Sequence, residues 1–265
     1  MTEARAYEPG EVQIVAAGVT ALHGNVLDGA IDAVKAVDEA FDEDSDEPIS
    51  EAAWRTWADS VLLFVLFRPA VAWEFMGRVG VTDDVLEGID IGFRTDFNVL
   101  KGDIKVQIFE SPDTKHALSF SLGYAHHLSV VKQRAVRILT LSDFHREDFD
   151  LQVLYGFTPN DFVRLTLAPH VVASYLDVRH AAPSWLLDRL PRQVLQFDPN
   201  QFFEDQWLTY AGLNTTVMVG YKHVFLAVDM GAFYMNFTPE VVGSRRNYSG
   251  GALSLALGLS ANYAF

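Results

Sequence analysis

From Ala252 to Phe265 the chain alternates without a break. One face reads Leu253, Leu255, Leu257, Leu259, Ala261, Tyr263, Phe265; the other reads Ala252, Ser254, Ala256, Gly258, Ser260, Asn262, Ala264. A period of two held this long predicts a β-strand, not a helix. The second face is small and polar but carries no charge. A solvated sheet face normally carries Lys, Glu or Thr, whereas small residues suit the crowded inside of a narrow barrel.

The same alternation recurs in 71–79, 86–94, 103–109, 117–125, 149–157, 163–175, 207–221 and 224–234, and in blurred form in 12–21. That predicts ten strands, with eight and twelve as the alternative counts. Four connections are tight, at 81–85, 111–115, 158–161 and 221–223, the first three with Pro, Asp or Asn where turns favour them. The others are 24–68, 97–102, 129–145, 177–206 and 238–249, and four of these five are long. Short turns at one end and long loops at the other describe a membrane-spanning barrel. The rings sort in the same way. Trp73, Tyr124, Tyr175, Trp207 and Tyr234 fall at the long-loop ends of strands, and Phe157, Tyr221, Tyr263 and Phe265 at the tight-turn ends. Two aromatic belts separated by aliphatic residues match the two interfaces of a bilayer.

Composition narrows the function classes. The chain has 265 residues, 49% of them hydrophobic, and a formal charge of -15. Such an apolar chain is not disordered, and such an acidic one does not neutralise nucleic-acid phosphates. The absence of cysteine removes disulfides, thiolate metal sites and cysteine nucleophiles. No charge-free apolar stretch is long enough for a membrane helix. The N-terminus lacks a secretory signal pattern, which fits either a cytosolic protein or a mature form restarted at a methionine after its signal peptide is removed.

The chain resembles the bacterial outer-membrane β-barrel proteins, as a small monomeric barrel. The resemblance rests on the closing strand Leu253 to Phe265 with its terminal aromatic, and on two hairpins, Gly77 to Gly88 and Leu154 to Leu165. In the family's assembly signal, Tyr263 and Phe265 fill the last anchor positions. Ser260 stands where a glycine is usual, and Gly258 lies two places early. The resemblance implies an all-β, ten-stranded antiparallel transmembrane β-barrel in the Gram-negative outer membrane. It implies outer-membrane lipid as its surroundings and the barrel-assembly machinery as its partner during insertion. A loop-bound protein partner is a further expectation, and no cofactor is expected.

The barrel is read as a single domain over 1–265, with 24–68 an acidic, partly helical outer loop. Residues 25–60 carry 11 acids and 2 bases. Within them Ser50 caps a helical stripe through Glu51, Trp54, Trp57, Ala58 and Val61. Asp42, Asp44 and Asp46 have the spacing that opens a calcium loop, but Glu47 and Ala53 stand where its Gly and Glu belong. A short helix is also predicted in 183–192.

Candidate chemistry lies on the inward face, at Glu74, Arg78, Asp90, Arg94, Asp103, Lys105, Asp148, Asp150, Arg164, His170 and Asp229. Charges kept out of lipid must pair or be hydrated. They therefore predict a salt-bridged interior or a narrow water-filled channel lined by them. The function expected is a porin-like small-solute pore or a structural or interaction barrel, without enzymatic activity. Two alternatives stand beside it. One is a soluble ligand-binding barrel. The other is a hydrolase, since Asp143-Phe-His145 and Asp148-Phe-Asp150 resemble the Asp/His and Asp/Asp pairs of outer-membrane aspartyl-type proteases. The predicted loop around His145 and the pair His126-His127 otherwise read as solvated polar residues.

Overall fold

A computed structural model describes residues 3–22, 71–82, 88–96, 98–128, 134–136, 139–181, 201–238, 240–241, 244–245 and 248–264. The strands are β1 (Glu11–Leu22), β2 (Val71–Thr82), β3 (Ile89–Thr95), β4 (Val99–Glu110), β5 (His116–His127), β6 (Arg134–Val136), β7 (Leu139–Asn160), β8 (Val163–Ala181), β9 (Gln201–Tyr221), β10 (Val224–Phe237), β11 (Glu240–Val241), β12 (Ser244–Arg245) and β13 (Tyr248–Ala264). Ten of them form the wall, in the order β1-β2-β3-β4-β5-β7-β8-β9-β10-β13. Pairing of β13 with β1, from Glu11 opposite Ala264 to Leu22 opposite Leu253, closes the ring. Every wall pairing is antiparallel. The short β6 pairs with β7, and β11 pairs with both β12 and β9.

Exposure alternates along the wall strands with the apolar side outward. Leu122 is 61% exposed and Leu257 55%, as are Ile14, Phe93, Ile104, Leu151 and Leu226 to similar degrees. Their neighbours Gln13, Asp90, Lys105, Ser121 and Asn262 are buried on the inner face. A soluble barrel does the reverse, because apolar surface is driven out of water. The fold is therefore a transmembrane β-barrel. The outward row between Trp73, Tyr124 and Trp207 at one end and Tyr221 and Tyr263 at the other carries no charge, and Thr209 and Thr215 on β9 are its polar members.

The tight turns show why these sequences reverse the chain. Asn160 Oδ1 accepts the amides of Phe162 and Val163 at 2.9 and 3.0 Å, which closes the β7–β8 hairpin. In the β4–β5 turn the Ser111 hydroxyl donates to Asp113 Oδ1 at 2.6 Å. The Ser111 hydroxyl bond and the Lys115 amide hold the Asp113 carboxyl below its ordinary value. Thr114 and Lys222 take left-handed φ values of 55°.

The strands outrun the sequence expectation at the long-loop end. β7 has 22 residues, β8 19 and β9 21, against about 9–11 needed to cross the bilayer. His145 thus lies in a strand, not in the predicted loop 129–145. Alternation is hidden there because both faces are charged: His145 and Glu147 on one, Arg146 and Asp148 on the other. The blur of the first strand has a different cause. Val15 and Ala17 point inward but pack on Met76, Met218, Phe225, Ala227 and Ala256, so part of the interior is apolar. The predicted insert 24–68, its acids Asp42, Asp44 and Asp46, and the helix in 183–192 lie outside the described residues.

Candidate functional site: the barrel interior

The tight-turn half of the lumen is occupied by the chain's own residues 3–8. Ala4 and Tyr7 are almost completely buried there. The Ser119 hydroxyl donates to the Ala4 carbonyl, and the Ala6 amide donates to Gln107 Oε1 at 2.5 Å. Ala4 packs with Ala117, Leu154 and Ala168. Two wall glycines leave room for this segment. A Cβ at Gly156 would stand 2.8 Å from Ala4 Cβ, and one at Gly80 would collide with the carbonyls of Tyr7 and Glu8.

Above it lies a buried ion network. Arg78 donates to both Asp90 and Asp103. Lys105 Nζ sits 2.9 Å from Asp90 Oδ2 and donates to the Glu3 and Arg5 carbonyls at 2.8 and 2.6 Å. Arg164 reaches Glu3 Oε1 at 2.5 Å while its guanidinium stacks 4.1 Å over the Phe225 ring. The network is shared between wall and segment, so neither side leaves a charge bare in the low-dielectric lumen.

The long-loop half is more open. A cavity of about 330 Å³ is bordered by Glu74, Asp96, Asp148, Asp150 and Asp229 and by two strong bases, Arg94 and Lys101. Arg94 pairs with Glu74 at 2.6 Å, and Lys101 pairs with Asp150. Asp229 accepts from the Thr216 hydroxyl at 3.0 Å. His170 lies against the Phe233 ring at 5.2 Å between centroids. Asp148 gathers Arg146 Nε at 2.9 Å, His127 Nε2 at 2.9 Å and the Ser174 hydroxyl. The lining is acidic on balance, a setting that favours cations over anions.

The structure thus places Glu74, Arg78, Asp90, Arg94, Asp103, Lys105, Arg164, His170 and Asp229 on the inner wall and divides them between the two halves. Of the residues in the two hydrolase pairs, Asp148 and Asp150 both face the lumen, while His145 faces outward on the same strand. The side chain of Asp143 lies outside the described residues. Sequence reasoning missed the role of Glu3, Tyr7 and Gln107, because 3–8 has no periodicity to betray a partner. It missed Lys101, which was assigned to a connection, and Arg146, which lay between the predicted loop 129–145 and the strand 149–157.

No family model matches the chain, and no curated protein matches it. Solved structures do. The N-terminal β-barrel domain of Pseudomonas aeruginosa OprF matches at 11% identity and TM-score 0.34, over 97% of this chain and 100% of that one. Ail, the attachment invasion locus protein of Yersinia pestis, matches at 6% and 0.37, over 96% and 99%. The outer membrane protease OmpT from Escherichia coli matches at 9% and 0.39, over the whole of both chains. The membrane-spanning reading of this barrel stands on its own wall, apolar outside and charged inside.

Proposed function

We propose that the protein is a bacterial outer-membrane barrel that serves as a structural or interaction barrel, closed to free solute flow. The observation that carries this is the filling of the tight-turn half by residues 3–8, bonded to Lys105, Gln107 and Ser119 and salt-bridged to Arg164. A conducting pore needs a hydrated path along its whole length, and these groups use their hydrogen bonds on one another. The acidic cup at the long-loop end faces the side from which a partner would come.

The test is conductance in planar bilayers. The native chain should be silent or nearly so, and a chain lacking residues 3–8 should conduct and prefer cations. Steady conductance by the native chain, altered by neutralising Arg94, would replace this reading with a pore. Release from membranes by salt without detergent would favour a soluble barrel instead.

A further inference from the structure

Three side chains outside the lumen form a second constellation. His126 on β5 stands directly opposite Glu147 on β7 in register, and His145 lies two residues along the same outward face. His145 Nε2 is 3.1 Å and His126 Nδ1 3.9 Å from Glu147 Oε1. One donor atom from each lies within 4.8 Å of the other two. The imidazoles meet edge to face, with centroids 5.7 Å apart.

We propose that His126, His145 and Glu147 form a zinc site on the outer wall, at the upper aromatic belt. Two imidazoles and one carboxylate are nitrogen and oxygen donors of the kind zinc takes, in the number that leaves a fourth position for water. In a tetrahedral zinc site, donors at bonding distance from the metal stand about 3.4 Å apart. The two measured separations from the carboxylate oxygen bracket that value, so small side-chain rotations complete the geometry. Rigid strands hold all three ligands. Register fixes two of them, and the pleat fixes the third.

The surroundings support the ligands. The Tyr124 hydroxyl hydrogen-bonds Glu147, the outer-shell contact that orients a ligating carboxylate. His145 packs edge-on against Tyr175 at 5.9 Å, and Tyr175 in turn packs on Trp207. The three ligands are partly exposed, so the metal has an entry path from the water side of the belt.

The experiment is zinc titration of the full chain folded in detergent and freed of metal, followed by calorimetry and by the visible spectrum of cobalt in its place. One equivalent should bind, with a tetrahedral cobalt spectrum. His126→Ala and His145→Ala should each weaken binding at least tenfold, and Tyr124→Phe by about tenfold. His116→Ala, at the tight-turn end, should leave it unchanged. His145→Gln serves where the alanine variant does not fold. Folding is read from the native electrophoretic mobility and circular dichroism. No uptake by the folded native chain overturns the proposal. So does equal affinity in the His126→Ala/His145→Ala double variant, which would put the metal elsewhere.

Discussion

Lys105 Nζ and Asp90 Oδ2 meet at 2.9 Å inside the barrel, and neither side chain reaches solvent. Asp90 also holds Arg78, whereas Lys105 is the donor that ties the carbonyls of Glu3 and Arg5 to the wall. Removing the lysine charge therefore strands one buried and one partly buried carbonyl and unbalances the network. Lys105→Met should cost about 3 kcal/mol of stability, the cost of breaking a buried pair from one side. Urea unfolding of the detergent-folded barrel measures this. Digestion should cut residues 3–8 faster in the variant than in the parent. An unchanged midpoint would mean that the segment carries no part of the wall's stability.

The sidedness of the wall gives a second test. Leu122 is on the outward face and Ser121, its neighbour, on the inward one. Leu122→Arg places a cation against hydrocarbon, which costs about 2–4 kcal/mol near the bilayer midplane. Measured by folding into lipid vesicles, that loss should appear. In a soluble barrel an arginine at so exposed a position would change stability by about 0.5 kcal/mol or less.

These two sites also show what was readable in the chain. Leu122 was legible because its strand alternates cleanly, with Leu118, Phe120, Leu122 and Tyr124 on one face. Lys105 was legible as inward-facing for the same reason. Its partners Glu3 and Arg5 were not, since they lie about a hundred residues away in a segment with no period. Ring-to-ring pairings depend on three-dimensional register, which a single strand's pattern does not contain. The ligand set His126, His145 and Glu147 was half visible as histidines. It lacked a carboxylate until the register placed Glu147 opposite His126.

The β9–β10 hairpin carries local strain that can be relieved. Lys222 sits at φ 55°, a conformation that costs a residue with a Cβ roughly 1–2 kcal/mol. Its ammonium lies 5.3 Å over the Tyr221 ring, an exposed cation–π contact returning about 0.5–1 kcal/mol. Gly has no Cβ but a larger unfolded-state entropy. The balance predicts that Lys222→Gly stabilises the barrel by about 0.5 kcal/mol. Denaturant titration against the parent reads this, and destabilisation beyond about 1 kcal/mol would show that the lysine contributes more than its backbone costs.

The wall glycines offer the sharpest way to separate the lumen segment from the barrel itself. A Cβ at Gly156 would stand 2.8 Å from Ala4 Cβ, while one at Gly77 would meet nothing within 4 Å. Val is a good strand former, so Gly156→Val leaves the wall's own preferences intact and acts on what packs against it. The expected outcome is a folded barrel with native mobility, residues 3–8 exposed to protease, and ion conductance absent from the parent. Gly77→Ala should resemble the parent in all three respects. If Gly156→Val folds, keeps residues 3–8 protected and stays silent, the segment has room to shift within the lumen. The segment would then be held by its bonds to Lys105, Gln107 and Ser119 and not by close packing at Gly156.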